Sequence, residues 1–425
     1  MEKLTMKAIR SMVKKIPLKD LEAFIDIIAN AYPGFGIVSP DDKKKMKQRM
    51  VKLSLDPTIN HYGVYRDRTL IGGMRTYDFM MNLFSVRTLV GGVGLVAVDL
   101  LRKKERACKE MISFFINLYR KKGSVLVALY PFRPDFYRKM GFGYGTKLNL
   151  YKVWPGDLPR GGSKKHVRFL NEKDRDALRR CAYRFFLSHH GMLEMKRHEL
   201  DYFFKSSEAK TVVYKEGKKI LGYLLFVIKR VDDANFLRNN IVIRELVYEN
   251  EVVLSELLTF LHTQLDQIHQ ILYPTQEEFF HFLPRDPRDG SDNIIPLIGH
   301  QVNTQGIGIM YRVIDAKGMF RLLRDHKFGN HNYRLNIVLH DSFTGRGEES
   351  LVVEFKDGLP RLVARVAGDV RIHLDIADFS SLMVGSVDYR SLHKYGLSQI
   401  SDRGFIEIVT DTFRAVEKPI CHNTF

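Results

Sequence analysis

Cysteine is scarce in this chain of 425 residues, which has three: Cys108, Cys181 and Cys421. They are widely spaced, odd in number and outside any CxxC pattern, so we expect buried thiols in a reducing compartment and no structural zinc. Long apolar runs are missing too, since no stretch approaches the roughly 18 to 20 residues that a membrane-spanning helix needs. Residues 1–7 lead into no signal-peptide apolar region. The sequence therefore predicts a cytoplasmic protein with no metal and no membrane partner.

Familiar catalytic signatures are also missing. The sequence has no GxSxG, HExxH or Walker A pattern, and the glycines at 141, 143 and 145 lack the spacing of a dinucleotide-binding loop. These absences argue against a serine hydrolase of the nucleophile-elbow type, a zinc peptidase and a P-loop nucleotide-binding protein.

Negative charge is in short supply, because 67 Lys and Arg face 49 Asp and Glu, for a net charge of +18. Such a surplus raises the question of nucleic acid. The basic residues are scattered, however, and the densest run, 43–49, belongs to a segment whose apolar positions fit one helix with a solvated basic face. No recognition-helix, zinc-finger or RNA-recognition signature accompanies it. We therefore expect no nucleic-acid partner.

The length exceeds what one hydrophobic core normally serves, so two or three domains are expected. The chain repeats itself weakly: residues 65–72 resemble residues 214–222, and each segment precedes two strands and an amphipathic helix. A linker rich in Pro and Gly, 154–163, separates the copies. A second stretch that contains several Pro and Gly, 284–299, precedes a segment predicted to alternate strands and helices. The predicted domains are 1–154, 155–300 and 301–425.

The most informative stretch of the first copy runs from Leu95 to Gly143. An apolar strand, 95–98, ends in a basic turn, 102–106, that opens a helix predicted over 103–121. Such a turn presents unpaired N–H groups and the positive end of the helix dipole to an anion. The strand edge could pair with an extended amide chain such as pantetheine. A site for a phosphate-bearing cofactor such as an acyl-coenzyme A is one interpretation, and a solvated basic loop is the other.

Tyr137 lies in a short helix that Pro134 opens and Gly141 ends. A phenol, with a reference pKa of about 10, can protonate a departing thiolate that is held near it. The alternative is a tyrosine that packs at the border of the core. In the second copy, Glu249 and Glu251 stand where the basic turn should be and would repel a pyrophosphate. We expect that copy to bind no cofactor.

These features together resemble the Eis (enhanced intracellular survival) family of acetyltransferases over essentially the full length. The family's acetyl-CoA motif, V-x-V-x-P-x-x-R-x-x-G-x-G/A, corresponds to residues 96–108, with Lys103 at the Arg position and Arg106 and Cys108 at the glycines. A frame shifted by one residue would match Arg102 and Ala107 but would move a polar residue into a core position of the helix. The resemblance implies an α/β (α+β) fold with two GNAT-fold domains, the second degenerate, and a sterol carrier protein-like C-terminal domain.

The resemblance also implies roles for individual residues. Tyr137 falls on the general acid, and the terminal carboxylate of Phe425 falls on the base that threads back into the active site. The positions predicted for the wall of the substrate cleft are Phe24, Asp26, Tyr32 and Phe35. The implied acetyl-CoA contacts are Val96, Ala97, Val98, Lys103, Lys104, Glu105, Arg106, Ala107, Cys108, Lys109, Phe132 and Arg133.

The implied activity is direct acetyl transfer from acetyl-CoA to amines of aminoglycoside-like polycations, by a homo-oligomer that is a hexamer in the family. A second hypothesis is a non-catalytic protein that binds an apolar ligand in its sterol-carrier-like domain. A third is an acetyltransferase for protein lysines or polyamines, which would use the same machinery in a cleft of different width.

Overall fold

The computed structural model describes residues 11–345 and 347–425. Its helices are α1 (Leu21–Ala31), α2 (Pro40–Ser54), α3 (Ala107–Lys121), α4 (Pro134–Arg138), α5 (Arg175–Ser188), α6 (Arg197–Lys205), α7 (Glu251–His262), α8 (Ala316–Leu322), α9 (Ile376–Met383), α10 (Tyr389–Lys394) and α11 (Ile406–Thr412). Among the described residues, no helix is long and apolar enough to cross a membrane.

The strands alternate with these helices along the chain. They are β1 (Ser11–Lys15), β2 (Ile59–Arg66), β3 (Thr69–Leu83), β4 (Val86–Val98), β5 (Leu126–Leu129), β6 (Gly143–Tyr144), β7 (Leu148–Val153), β8 (Val167–Phe169), β9 (Ala209–Glu216), β10 (Lys219–Arg230), β11 (Asn239–Tyr248), β12 (Ile268–Thr275), β13 (Ile294–Ile295), β14 (Gly299–His300), β15 (Asn303–Gly306), β16 (Met310–Val313), β17 (Tyr333–Asp341), β18 (Gly347–Lys356), β19 (Leu359–Val363), β20 (Val370–Asp375) and β21 (Ser398–Ile400).

Two seven-stranded sheets have the same architecture, which confirms the predicted repeat. The first has the order β1-β2-β3-β4-β5-β16-β6, and the second, read from the other end, has the order β8-β9-β10-β11-β12-β7-β15. In each sheet the fourth and fifth strands are parallel, and the helix between them, α3 or α7, makes the crossover. A five-stranded sheet, β19-β18-β17-β20-β21, forms the third unit.

The sixth strands of the two sheets are exchanged across the predicted domain boundaries after residues 154 and 300. β7 lies in the second sheet beside β12, although it precedes the first predicted boundary. β16 lies in the first sheet between β5 and β6, although it follows the second. Pro and Gly clusters mark where elements end, but the choice of strand partner depends on hydrogen bonds between residues far apart in sequence.

Local sequence accounts for the elements that surround the site. On α1, five apolar side chains at helical spacing are buried. A 3₁₀ turn, Leu18–Asp20, precedes this helix. Helix α2 starts with a capping box in which Ser39 and Asp42 bond each other's backbone N–H groups. A hairpin turn at Asp67 and Arg68 joins β2 and β3, and both residues have positive φ.

The third unit packs directly on the first sheet. All eight residues of α9 are buried. A Cβ on Gly143 of β6 would lie 2.0 Å from the carbonyl oxygen of Ala377, so this glycine allows α9 to approach the sheet. The Ser380 hydroxyl accepts a 2.8 Å hydrogen bond from the Val313 N–H, and Arg138 pairs with Asp378 at 2.6 Å. The first sheet therefore has α3 on one face and the third unit on part of the other.

Candidate active site

Strands β4 and β5 separate partway along their length. Their parallel pairing covers Val90–Val93 of β4 and ends at Leu129 of β5. Strand β4 continues to Val98, paired with β3 through Ala97 and Val98 but with no partner among the described strands on the β5 side. A β-bulge lies where the strands separate, and Leu95 there has a φ of +52°. The separated strands leave a free edge on β4 where the sequence predicts contact with an extended amide chain.

The loop after β4 leads into α3, and no side chain caps the N-terminus of this helix. Arg106 precedes the helix at φ +64°, and its side chain caps no backbone N–H. Lys103 and Lys104 are exposed beside it. Free N–H groups, the helix dipole and three cations fit a pyrophosphate, and the left-handed Arg106 stands at the first glycine of the predicted frame. These residues therefore fit acetyl-CoA.

The same loop is tied to the rest of the domain by Arg66. Its guanidinium pairs with Glu105 at 3.0 Å and with Glu110 at 2.7 Å. Glu105 therefore fixes the loop to Arg66, and its negative charge is compensated by this ion pair rather than free to face phosphates. Ala107 is buried, and Lys109 lies over the ring of Phe343 at 5.5 Å.

The corresponding loop of the second unit is closed to an anion. The Asn250 side chain caps α7 by accepting from the Val253 N–H. Glu249, just before it, pairs with Arg184 at 2.5 Å. A capped N-terminus beside carboxylates does not attract phosphate, which supports the expectation of a cofactor-free second copy.

Tyr137 is buried, with 2% of its surface exposed, among Phe132, Phe136 and Phe142. Burial first, and then the neighbouring Cys108 and Tyr32, raise the pKa of Tyr137 well above 10. Burial also raises the pKa of Cys108 to about 12, so its thiol keeps its proton. The Tyr137 hydroxyl makes no hydrogen bond to another described residue. This phenol is protonated at neutral pH and free to donate.

The C-terminus lies at the separation of β4 and β5. A Cβ on Gly94 would be 2.7 Å from the Phe425 carboxyl carbon and 2.9 Å from one of its oxygens. The Phe425 ring packs against Tyr77, Phe79 and Tyr130, with centroids 5.6, 4.8 and 5.3 Å away. The tail therefore brings the terminal carboxylate onto β4, two residues before Val96.

The second unit holds this tail in place. Ile420 N–H donates to the His190 carbonyl at 2.9 Å, and Cys421 N–H donates to the side chain of Gln276. Asn423 donates from Nδ2 to Glu199 at 2.6 Å, while its carbonyl accepts from the Tyr130 hydroxyl at 2.9 Å. These contacts connect the carboxylate to both units.

The four predicted wall residues have different positions. Phe24 is fully buried and packs over Gly73 in the core, so it cannot touch a ligand. Asp26 is exposed on the outer face of α1 and pairs with Lys43. The assignment of Phe24 is corrected, because the inner face of α1 is filled by packing, whereas the assignment of Asp26 stays a prediction.

Tyr32 does reach the free edge of β4. Its hydroxyl donates to the Val96 carbonyl at 2.5 Å, burial raises its pKa to about 12, and its ring stacks on exposed Phe35 at 5.2 Å. Of the two residues before α4, Phe132 is 56% exposed, and Arg133 pairs with Asp135 at 2.6 Å.

Sequence reasoning missed Tyr130 and the glycines of β4. Gly92 and Gly94 make room for the Phe425 ring and carboxylate. The signal was present, because Gly91-Gly92-Val93-Gly94 is an unusual run inside a strand and marks close approach of another chain segment. Tyr130 had no comparable signal.

A cavity of about 1030 Å³ adjoins the tail. It is bordered by Tyr130 and residues 421–424, by the end of α2, and by α6, β10 and β11 of the second unit. Within the described ranges, no group of three or more His, Cys, Asp or Glu is arranged to hold a metal ion.

Comparisons with known proteins agree with this architecture. Residues 12–145 match a family model described as an acetyltransferase (GNAT) domain, and residues 190–313 match a second model of the same description. Residues 320–422 match a sterol carrier protein domain. The search among curated proteins returned no match.

Solved structures share the fold at low sequence identity. A GCN5-related N-acetyltransferase from Anabaena variabilis has a TM-score of 0.78 and 16% identity, over 98% of this chain and 100% of that one. A probable N-acyltransferase from Enterococcus faecalis gives 0.77 and 17%, over 98% and 100%. Eis1 from Mycobacterium abscessus gives 0.74 and 14%, over 98% and 100%. The family models therefore indicate an acetyltransferase that contains two GNAT domains and a sterol carrier protein domain, and the solved structures share that fold.

Proposed function

We propose that the chain is an acetyl-CoA-dependent N-acetyltransferase of the Eis type, with its active site at the separation of β4 and β5. One observation carries the proposal: the carboxyl carbon of Phe425 lies 2.7 Å from the Cβ position of Gly94. In this proposal, the chain end that is threaded between two domains onto this strand supplies the carboxylate that takes a proton from the incoming amine. The free edge of β4 and the loop before α3 would hold the pantetheine and the phosphates.

Tyr137 and Phe425 have complementary tasks in this proposal. When bound, acetyl-CoA supplies a thioester whose carbonyl carbon an amine attacks. The terminal carboxylate accepts the proton that the amine loses, directly or through a water molecule. Tyr137 donates its proton to the leaving sulfur, and burial keeps that proton on the phenol until then.

The acceptor is proposed as a primary amine. The resemblance implies aminoglycoside-like polycations, and these are one class of amine to be tested in the experiment below. The cavity beside the tail gives no support to a polycation, because Arg49, Lys52, Arg197 and Arg244 balance its four carboxylates. Protein lysines and polyamines are the other arms, and the hexameric assembly stays a prediction.

A non-catalytic role for the third domain gains no support from its packing. Its central helix, α9, is used to dock on the first sheet, and Ile337, Val353 and Ile372 are fully buried in its core. We therefore place the function at the first domain.

The experiment measures thiol release from acetyl-CoA with aminoglycosides, polyamines and lysine peptides. It compares the chain with a free C-terminus and the same chain extended by two glycines beyond Phe425. Amine-dependent release that the extension abolishes supports the proposal. Equal release by both proteins would remove the terminal carboxylate as the base, and no release with any amine would reject the activity. An N-terminal extension of the same length is the matched control.

A further inference from the structure

The cavity beside the tail has a basic mouth. Four exposed residues on its lining are Arg49, Lys52, Arg197 and Arg244. None of them forms an ion pair or a side-chain hydrogen bond with another residue in the described part of the chain. Unpaired cations around one opening attract an anionic group and repel a cationic one.

The aspartates on the same lining are already engaged. Asp201 pairs with Arg175 at 2.9 Å and with Lys205 at 2.8 Å. Asp56 accepts from the Thr58 N–H and hydroxyl at 2.9 and 2.6 Å. These carboxylates therefore do not neutralise the four cations by direct contact.

The interior of the cavity is acidic. Glu245 on β11 accepts a 2.8 Å hydrogen bond from the Tyr223 hydroxyl and has no other hydrogen bond among the described residues. Burial, with a smaller contribution from the charge of Glu199, raises the pKa of Glu245 to about 7. Glu199 in turn holds Asn423, two residues before Phe425. A cation near these two carboxylates would relieve their mutual repulsion.

The rest of the lining consists mainly of apolar side chains, together with two histidines that each have a nitrogen without a hydrogen-bond partner. Phe185, Met192 and Leu225 contribute to its walls. His198 and His422 also line it, and the Nδ1 atom of each is buried without a hydrogen-bond partner. Burial lowers the pKa of His422 to about 4, so its ring is neutral at physiological pH. Buried polar atoms are normally paired, which indicates that a ligand or water completes this site.

We propose that this cavity, built largely from the second GNAT domain, selects the acyl acceptor, and that the acceptor is dipolar: an amine, an apolar middle and an anionic end. This inference rests on the proposed function. The amine points inward, toward Glu199 and Glu245, and Glu199 holds Asn423, two residues before Phe425. The carboxylate or phosphate group stays at the basic mouth. The second domain, which has lost a cofactor site, thereby supplies specificity.

Three probes of equal chain length test the charge at the far end: 6-aminohexanoate, its amide and 1,6-diaminohexane. Calorimetric binding in the presence of coenzyme A and kcat/KM from thiol release are both measured. We expect the carboxylate to exceed the amide by roughly fivefold in affinity, as for an exposed charge contact, and the diamine to bind weakest. A preference for the diamine, or equal binding of all three, would overturn the inference.

Variants assign the preference to the cavity. Replacing both mouth residues, Arg197→Gln with Arg244→Gln, should abolish the preference for the carboxylate by raising its KM and leaving kcat unchanged. The control is Arg180→Gln, an exposed arginine outside the cavity. Glu245→Gln should weaken all three amines, whereas exposed Glu208→Gln should not. An unchanged preference in the double variant contradicts the assignment.

The two readouts separate the two proposals. If no probe is acetylated but calorimetry gives the expected order, the cavity binds dipolar amines, while the proposed activity and with it the role as acyl acceptor fail. If all three probes are acetylated with equal kcat/KM, the activity stands and the dipolar acceptor is rejected.

Discussion

Gly94 and Phe425 are in contact although 331 positions separate them in the sequence. The carboxyl carbon of Phe425 lies 2.7 Å from the position that a Cβ of Gly94 would take. Gly94→Ala would place a methyl group against main-chain atoms that cannot rotate away, so the chain end must move. We expect turnover to fall by roughly 10²-fold, as for loss of a general base. Acetyl-CoA affinity, measured by calorimetry, should change little.

Gly306→Ala is the matched control for that substitution. Gly306 is also a strand glycine, and a Cβ there would meet nothing within 4 Å. Normal turnover of Gly94→Ala would show that the terminal carboxylate need not occupy this place.

Tyr137→Phe removes one hydroxyl from a buried ring that makes no hydrogen bond to the described residues. Packing should persist, while turnover drops by roughly 10²-fold because the leaving sulfur has no proton donor. Tyr144→Phe, in the next strand, is the control. Turnover of both variants is measured by steady-state kinetics with a saturating amine. Full turnover in Tyr137→Phe would reject this residue as the general acid.

Arg106 has the backbone conformation that suits glycine. Both Arg106→Gly and Arg106→Ala remove the same charge, but alanine keeps the strain of φ +64°. We expect the glycine variant to be more stable than the alanine variant by roughly 1 kcal/mol. Chemical denaturation of the two variants measures the difference. Equal stabilities would mean that the loop relaxes at no cost.

His190 joins the first and third units and should contribute to acid sensitivity. Its Nδ1 accepts from the Phe84 N–H at 3.1 Å, so its Nε2 donates to the Val384 carbonyl at 3.0 Å. Burial lowers the pKa of His190 to about 4. A base with a lowered folded-state pKa stabilises the fold above the unfolded pKa, near 6.5, and that stability is lost as pH falls toward 4.

The variant His190→Gln tests this contribution. The free energy of unfolding of the wild type should decrease between pH 6.5 and 4 more steeply than that of the variant. Parallel slopes would contradict the assignment. Because His61 and His422 also have lowered pKa values, the difference between the two slopes is the quantity to compare.

Much of the secondary structure follows from short-range pattern. The predicted helix that carries Tyr137 and the predicted repeat of one α/β unit are both present, because periodicity and turn chemistry act over a few residues. The wall assignment of Phe24 was wrong for a complementary reason. Helical spacing tells which residues share a face, but not which face meets a cleft.

By itself, the sequence determined the repeated units, the basic loop before α3 and the position of Tyr137 in α4, since each depends on neighbours in the chain. The tertiary structure alone decided the exchange of β7 and β16, the place of Phe425 on Gly94 and the cavity that reaches Glu245. Each of these depends on contacts between segments more than 90 residues apart. Such contacts are selected by hydrogen-bond partners and packing space, which no local pattern records.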